Sequence, residues 1–315
     1  MGLRWLCIAV LALVLPLAAS ASEQELGEAK VVAKIETDFK PCSEAAGFGY
    51  LWVANYGAGS LSRIDPATNT VTGTVRLGLV SQPCGLGVGA GALWVTGYGE
   101  AQVLRVDPAA LRVVKRIPAG SGVWDVIYAA GSVWATDHVR GVVSRINPRT
   151  NRIGARIKTG GAPSNLRFGF GSVWVGSQVG GSIFRINPRT NRLVRVRVGQ
   201  RSPDSPAIGR DAVWVSNRGS NTVSRIDPAT NRVVTTIRVG GAPANPAVAP
   251  DGTVFVPNNG SNSVSRVDPA TNKVVATLQV GNGPFPAAEA FGDIWVPNFR
   301  GEDVWRIHID PPAGG

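Results

Sequence analysis

Ser-Arg-Ile-Asp-Pro-Ala-Thr-Asn-Arg, at residues 224–232, recurs in close variants along almost the whole chain. Its first arginine has counterparts at a regular interval, at Arg63, Arg105, Arg145, Arg185, Arg225, Arg266 and Arg306. An aromatic residue stands 11 positions before each of them, at Trp52, Trp94, Trp134, Trp174, Trp214, Phe255 and Trp295. The repeat length is therefore 40 to 42 residues, seven times over, and a period of this size indicates a repeat array or a propeller.

One unit contains only strand and turn signals. Its short runs are rich in β-branched and aromatic residues, and the segments between them are rich in Gly, Asn, Asp and Pro. In the unit around Trp214, the four runs cover residues 206–209, 213–215, 223–226 and 233–237. Four strands of about five residues with their turns fill roughly 40 residues, which is one propeller blade. We therefore expect an all-β, seven-bladed β-propeller of four-stranded repeats.

The two ends of the chain predict how the ring closes. The last unit stops after its third strand, at residues 304–307, while residues 30–35 resemble the fourth-strand sequence at residues 273–278. An N-terminal strand that completes the last blade removes two exposed sheet edges. We expect one propeller domain over residues 30–309, followed by a short tail at 310–315.

Each aromatic marker and its arginine are expected to face each other across a hairpin. The guanidinium would then lie over the ring as a cross-strand cation–π pair, worth about 0.5–2 kcal/mol. Because the pair returns in nearly every unit, we interpret it as part of the scaffold. The Asp-Pro-Ala-Thr-Asn turn has the same interpretation, since Asp caps a turn, Pro presets φ and Asn tolerates the left-handed region.

The Val-Ser-Arg-Ile-Asp-Pro-Ala-Thr-Asn-Arg-Val-Val sequence at residues 223–234 resembles the YVTN-type β-propeller repeat family, and the resemblance covers residues 30–309. This family is related to streptogramin B lyase-like and quinoprotein amine dehydrogenase-like propellers. The resemblance implies the propeller fold. It implies no activity, because the shared motif forms the strands and turns of the blades. Streptogramin B lyases use a histidine base, a magnesium ion and a nearby glutamate at the channel, and no His–Glu set stands at matching repeat positions here.

Residues 1–21 have the pattern of a secretory signal peptide. Arg4 precedes an apolar run at 5–17, and small residues end at a cleavage site near Ala21. Residues 22–29 would form a linker before the propeller. We expect a periplasmic or secreted monomer with no transmembrane segment in the mature chain.

The formal net charge of +11 does not indicate a nucleic-acid partner. Seven of the positive charges are the repeat arginines, and the sequence has no dense basic run. A basic surface that attracts anionic lipid, polysaccharide or an acidic partner stays open as an alternative.

Cys42 and Cys84 occupy the same position in adjacent units, each after a Pro and 10 residues before a Trp. Inner strands of neighbouring blades converge at the channel, so a Cα separation in the disulfide range is plausible. In an oxidising compartment this favours a Cys42–Cys84 disulfide. The alternative is two free thiols at the channel mouth, as metal ligands or a cofactor attachment point.

Function is expected where the repeat departs from its consensus. Two sets of loops should share one rim of the ring, which we name the variable rim: those before each first strand and those after each Trp strand. The first set carries Cys42, Cys84, Trp124, Ser164, Asp204, Ala244 and Phe285. The second set carries Tyr56, Tyr98, His138, Gln178, Arg218, Asn259 and Phe299. The candidate ligand-binding residues are Tyr98, Trp124, Asp125, His138, Arg140, Arg218, Phe285 and Phe299.

The third unit contains the only set of residues that suggests catalysis. His138 would act as a general base with Asp125 or Asp137 beside it. The position after the cysteine position forms a mostly polar ring of Ser43, Gly85, Asp125, Asn165, Ser205, Asn245 and Pro286. Local turn chemistry explains this ring, and the alternative is a site for a divalent cation such as Mg²⁺ or Ca²⁺.

The function expected from the sequence is binding of a protein, cell-envelope glycan or small molecule on the variable rim, without catalysis. Aromatic and Arg residues suit recognition. The first alternative is a metal-dependent lyase or hydrolase with His138 as base. The second is a periplasmic accessory to a quinone- or haem-dependent oxidation system, which has only fold analogy behind it.

Overall fold

Short β-branched and aromatic runs form the strands, which are buried along most of their length in the second strand of each blade and carry alternating exposed positions in fourth strands such as those of blades 3 and 5. The computed structural model describes residues 28–310, and residues 29–309 form one unit of 28 strands. The predicted signal peptide (1–21), residues 22–27 of the predicted linker and residues 311–315 of the predicted tail lie outside the described residues. In the described part, no helix is long and apolar enough to cross a membrane.

The strands form seven antiparallel four-stranded sheets, which are the predicted blades. From first to fourth strand, blades 1 to 4 comprise Pro41–Gly47, Tyr50–Asn55, Ser60–Asp65 and Thr70–Arg76; Leu86–Gly89, Ala92–Gly97, Gln102–Asp107 and Arg112–Pro118; Val123–Ala129, Ser132–Asp137, Val142–Asn147 and Arg152–Lys158; and Pro163–Gly169, Ser172–Ser177, Ser182–Ile186 and Leu193–Arg197. Blades 5 to 7 comprise Pro203–Ile208, Val213–Asn217, Thr222–Asp227 and Arg232–Arg238; Ala247–Val248, Val254–Asn258, Ser263–Asp268 and Lys273–Gln279; and Ala288–Ala290, Asp293–Asn298, Asp303–Ile309 and Ala29–Glu36. Short 3-10 helices cover Leu79–Ser81 and Tyr98–Glu100.

The ring closes as predicted. The strand Ala29–Glu36 pairs antiparallel with Asp303–Ile309 and completes blade 7, with Ile35 opposite Val304. The first strands of neighbouring blades contact one another all the way round. The first strands therefore line the central channel, and the fourth strands form the outer wall.

The hydrophobic core lies between the blades. Seven clusters of buried residues each combine side chains of two adjacent blades. Each cluster contains one aromatic marker, and Trp52, for example, packs with Leu86 and Leu93 of blade 2. Because every blade buries its aromatic residue against the next, the repeat sets the packing of the whole ring.

The repeat arginines lie over their aromatic partners in six blades, as predicted. The guanidinium carbon is 4.8–5.8 Å from the ring centroid in blades 2 to 7. In five blades the arginine also donates to the Asp-Pro or Asn-Pro turn of the next blade, a contact that was not predicted from the sequence. Arg225, for example, donates to the Pro269 carbonyl (2.7 Å) and to Asn272 Oδ1 (2.9 Å). The other four arginines of this kind are Arg105, Arg145, Arg185 and Arg306.

Blade 1 departs from this pattern: Trp52 and Arg63 stand opposite each other across the hairpin as predicted, but the guanidinium does not lie over Trp52. Arg63 lies over Tyr50, 4.5 Å from its centroid, and donates to the Thr72 carbonyl at 3.1 Å. The next blade has Leu111 where the other turns have Asn. Arg63 therefore lacks the amide acceptor that the other arginines use and bonds within its own blade.

Candidate functional site

A single type of backbone bond brings the two loop sets of the variable rim together. In six blades, the residue that follows the second strand donates its N–H to a carbonyl in the loop before the first strand of the same blade. Examples are Tyr56 to Lys40 (2.8 Å) and His138 to Gly122 (2.9 Å). Equivalent bonds are made by Gln178, Arg218, Asn259 and Phe299. The two sets therefore share one rim, as predicted, and their variable side chains become neighbours.

The variable rim contains a cavity of about 310 Å³ whose lining comes from five blades. The lining residues are Cys42, Tyr56, Trp124, Arg218, Asn259, Phe285, Phe299 and Arg300. Four of these, Trp124, Arg218, Phe285 and Phe299, are candidate ligand-binding residues from the sequence. We refer to this space as the rim cavity.

One wall of the rim cavity is aromatic and carries positive charge. Phe299 packs against Tyr56 (6.0 Å between centroids) and Phe285 (6.1 Å). The Arg218 guanidinium lies 5.6 Å from the Phe285 centroid, and Lys40 Nζ lies 5.9 Å from that of Phe299. Cations over ring faces are held by the ring quadrupole, so this wall offers an apolar surface with cations at its edge.

Trp124 forms a second aromatic group with two other predicted residues. Its ring lies 5.9 Å from Tyr98 and 5.7 Å from His138, and Tyr98 and His138 lie 5.7 Å apart. All three side chains are half-buried. Trp124 lines the rim cavity, whereas Tyr98 and His138 support Trp124.

Asp137 organises its own loop. Its carboxylate accepts hydrogen bonds from the backbone N–H groups of Ser121, Gly122 and Arg140, each at 3.1 Å. The exposed Arg140 side chain lies 3.9 Å from the same carboxylate. A buried carboxylate with three backbone donors acts as a turn cap, and Arg140 is positioned by it.

Asp125 joins blade 3 to blade 4 inside the channel. Its carboxylate accepts from the N–H groups of Val126 (2.8 Å) and Leu166 (2.7 Å), and Arg167 lies 3.8 Å away. Burial raises the pKa of Asp125, while the charge of Arg167 and the two backbone bonds act in the opposite direction. The carboxylate therefore has structural partners on both blades.

Three members of the predicted polar ring bond to each other across blades. Asn165 donates to Ser205 (2.7 Å), Ser205 donates to Asn245 (2.5 Å), and Asn245 donates back to Asn165 (3.1 Å). This closed cycle connects blades 4, 5 and 6. Each of the three side chains has another member of the cycle as its hydrogen-bond partner. Within residues 28–310, no group of three or more His, Cys, Asp or Glu side chains is placed to hold a metal ion.

Asp204 of blade 5 is a buried carboxylate whose electrostatic neighbours include Arg218 and His138. Burial raises the pKa of Asp204, and hydrogen bonds from Ser164 and Gln178 and the charges of Arg218 and His138 lower it. Asp204 Oδ1 and His138 Nδ1 are both buried without a hydrogen-bond partner among the described residues. Unsatisfied buried atoms of this kind point to water or a polar ligand group between the rim loops.

Glu44 is the channel residue that sequence reasoning missed. It is buried on the first strand of blade 1, and its Oε2 atom has no hydrogen-bond partner in the described part of the chain. Burial raises its pKa to about 8, against the attraction of Arg167. The aligned position in the other units holds Leu86, Val126, Leu166, Pro206, Pro246 and Ala287. A lone acid at an otherwise apolar repeat position is the signal that could have found it.

The predicted disulfide is confirmed. Cys42 and Cys84 are bonded, with 5.0 Å between their Cα atoms. The bond links the first strand of blade 1 to the start of blade 2 beside the rim cavity, where Cys42 is part of the lining. The pairing follows from the shared repeat position of the two residues.

Comparisons with known proteins match the fold. Residues 90–211 match a family model described as a repeat of unknown function (DUF6923), and no curated protein matches the chain. A streptogramin B lyase structure aligns over 92% of this chain and 100% of its own, with a TM-score of 0.78 and 15% identity. Virginiamycin B lyase from Staphylococcus aureus aligns over 90% of this chain and 100% of its own, again at 0.78 and 15%.

Hydrazine synthase from Kuenenia stuttgartiensis also aligns, over 96% of this chain and 100% of the matched chain, with a TM-score of 0.70 and 15% identity. Likeness at this level of identity concerns the fold and not the activity. The chain is therefore a seven-bladed β-propeller built from a repeat, with structural neighbours among the streptogramin B lyase-like propellers.

Proposed function

We propose that this protein is an exported binding protein whose rim cavity takes an aromatic or apolar ring that carries a negative charge. The observation that carries the proposal is the lining of the cavity. Tyr56, Trp124, Phe285 and Phe299 supply apolar surface, and Arg218 and Arg300 supply positive charge. Pockets with apolar walls and a few polar groups that fix orientation are typical of small-molecule sites.

The guanidiniums are held in place before a ligand arrives. Arg300 donates to Asn282 Oδ1 (3.1 Å) and to the Asn259 carbonyl (2.9 Å), and Arg218 stacks on Phe285. A carboxylate on the ligand would accept charge-assisted hydrogen bonds from their free N–H groups. Preorganised donors reduce the entropy lost on binding.

Binding is favoured over catalysis by the partners of the acidic residues. Asp125 and Asp137 both accept two or more backbone hydrogen bonds, which suits a structural role. The catalytic alternative then depends on His138 and Asp204, whose buried atoms Nδ1 and Oδ1 have no partner among the described residues. The likeness to lyases carries no activity by itself, because the identity is 15%.

Export is part of the proposal. It is supported by the signal-like sequence at residues 1–21 and by the Cys42–Cys84 disulfide, since disulfides persist in oxidising compartments.

The test uses 2-naphthoate as an aromatic anion and 2-naphthol as its neutral counterpart, titrated into the purified chain and followed by ligand-observed NMR. We expect 2-naphthoate to bind more tightly than 2-naphthol. The Phe285→Ala/Phe299→Ala variant should weaken binding of 2-naphthoate by about tenfold or more, because two rings of the aromatic wall are removed. Phe168→Ala is the matched control, since Phe168 is an exposed phenylalanine outside the rim cavity.

Equal binding of 2-naphthoate by the double variant and the native chain would refute the rim cavity as the site. An equal loss in Phe168→Ala would show that the effect is not local. If the native chain converts a bound compound to a product and His138→Ala keeps binding but loses conversion, the catalytic alternative replaces the proposal.

A further inference from the structure

The positive charge of the protein is carried by the outer wall of the ring. The fourth strands of the seven blades hold fourteen basic residues and one acidic residue, Glu36. The rest of the chain has eighteen basic against twenty acidic residues. The basic residues of the outer strands are all exposed and are Lys30, Lys34, Arg76, Arg112, Lys115, Arg116, Arg152, Arg156, Lys158, Arg195, Arg197, Arg232, Arg238 and Lys273.

This charge is concentrated on four consecutive blades. The outer strands of blades 2 to 5 contain ten of the basic residues and no Asp or Glu; they are Arg112–Pro118, Arg152–Lys158, Leu193–Arg197 and Arg232–Arg238. We refer to these four strands as the basic belt. Within residues 28–310, the ion pair from the belt to an acidic side chain is Arg116–Glu100 at 2.8 Å, so most of the belt is available to a partner.

The fold itself does not require these charges. In every blade, one outer-strand position lies opposite the third-strand residue that precedes the repeat arginine, and in blade 7 this position holds Lys34. In blades 2, 3 and 4 this position holds Arg116, Arg156 and Arg195. In blades 1, 5 and 6 it holds Thr74, Thr236 and Thr277. Arg116 pairs with Glu100 and Arg195 lies over Phe184, 5.7 Å from its centroid. Because threonine occupies the same position in three other blades, the strand pairing itself does not require a cation there.

The spacing of the belt suits a long partner with repeated negative charges. Arg156 and Lys158 are two residues apart on one strand, and Arg195 and Arg197 are two apart on the next. Residues two apart point to the same face and are separated by about 7 Å. Each blade therefore presents a short row of cations, and successive blades repeat it around a convex wall.

We propose that the basic belt binds a linear anionic polysaccharide that follows the outer wall across blades 2 to 5. Carboxylates or sulfates on successive sugars would pair with the arginine and lysine rows. A flat membrane would meet only part of a convex wall. Nucleic acid is disfavoured because the four strands contain no Phe, Tyr or Trp on which bases could stack.

The test measures binding of polygalacturonate and heparin oligosaccharides to the purified chain by calorimetry, at low and at physiological salt. We expect both to bind, and more weakly as salt rises. The variant Arg156→Thr/Arg195→Thr/Arg197→Thr should lose about tenfold in affinity, because three adjacent cations are removed from the belt. The control Lys34→Thr/Arg76→Thr/Lys273→Thr removes the same charge from the outer strands of blades 7, 1 and 6 and should stay within about twofold.

Three results would overturn the proposal. The first is that neither polysaccharide binds. The second is an equal loss in the control variant, which would mean a general charge effect. The third is that single-stranded DNA or phosphatidylglycerol vesicles bind more tightly than the polysaccharides and lose affinity in the belt variant. Unchanged polysaccharide affinity in Phe285→Ala/Phe299→Ala would show that the belt acts independently of the rim cavity, so failure of one proposal leaves the other standing.

Discussion

Glu44 is a carboxyl group that the channel keeps away from water. Its burial raises its pKa to about 8, and Arg167 of blade 4 reduces that effect without cancelling it. Arg167 also lies 3.8 Å from Asp125, so one guanidinium interacts electrostatically with two buried carboxyl groups. The proton on Glu44 removes the cost of burying a charge near neutral pH.

This arrangement predicts that the free energy of unfolding decreases as the pH rises from about 5 to 8. Folded Glu44 keeps its proton up to about 8, whereas the unfolded residue loses it near its ordinary value of 4.5. Unfolding in that window releases a proton, and the free energy of unfolding falls by roughly 3–5 kcal/mol across it. Glu44→Gln should remove the part of this slope that Glu44 contributes, measured by denaturant unfolding over a pH series.

The matched control for Glu44→Gln is Glu36→Gln, which changes an exposed glutamate on the strand Ala29–Glu36. It should leave the slope unchanged. A Glu44→Gln profile that follows the native profile would mean that Glu44 ionises in the folded channel without cost. Burial also raises the pKa values of Asp125 and Asp204, so these two residues contribute slope of the same sign.

The turns after the third strands accept hydrogen bonds from the preceding blade at five places in the ring. Arg185 of blade 4 donates to the Pro228 carbonyl (2.5 Å) and to Asn231 Oδ1 (2.9 Å) in blade 5. Asn231 also has a positive φ of 57°, a region that Asn adopts more readily than most residues. The Asn of the repeat therefore does two things, since it shapes the turn and accepts a hydrogen bond from the preceding blade.

Two substitutions of Asn231 should separate these effects. Asn231→Gly removes the acceptor and keeps the left-handed backbone accessible, so we expect a loss of about 1 kcal/mol in the free energy of unfolding. Asn231→Leu removes the acceptor and places a branched side chain at positive φ, so we expect a loss of about 2 kcal/mol. Equal losses, measured by denaturant unfolding, would mean that the backbone conformation contributes nothing at this turn.

Ring closure involves the whole molecule and depends on the N-terminal strand Ala29–Glu36, which pairs with Asp303–Ile309. Ile35, on the strand Ala29–Glu36, is 4% exposed and belongs to the cluster that joins blade 7 to blade 1. That cluster also contains Leu51 and Val53 of blade 1 and Trp295 of blade 7. The N-terminal strand Ala29–Glu36 thus covers the free edge of blade 7 and also packs between the first and last blades.

We predict that Ile35→Ala lowers the free energy of unfolding by about 3 kcal/mol, the usual cost of truncating a buried isoleucine. Val32→Ala on the same strand is the control, because Val32 is 47% exposed, and it should cost less than about 0.5 kcal/mol. Thermal and denaturant unfolding provide the measurement. Similar losses of unfolding free energy in the two variants would show that packing of Ile35 does not stabilise the ring closure.

Most of the fold could be predicted because the same strand and turn signals recur in seven units. Strand and turn signals within one unit depend on neighbouring residues, so the blade, the number of blades and the closing strand all follow from local patterns. The Cys42–Cys84 disulfide was predictable for the same reason, since both residues occupy one repeat position in adjacent blades. Leu111 shows the limit of this approach, because its substitution for Asn changes the contacts of Arg63 in the preceding blade.

The sequence predicted which loops form the rim of the candidate site, but not which of their side chains are in contact. The sequence predicted His138 beside Asp125 or Asp137, whereas in the structure its ring packs with Tyr98 and Trp124. It gave no reason to connect Tyr56 with Phe299, which come from blades 1 and 7, or Glu44 with Arg167. The sequence by itself determined the propeller, its closure and which rim varies, because those depend on short-range patterns. Only the tertiary structure decided which side chains meet, because the closed ring brings together blades that are far apart along the chain.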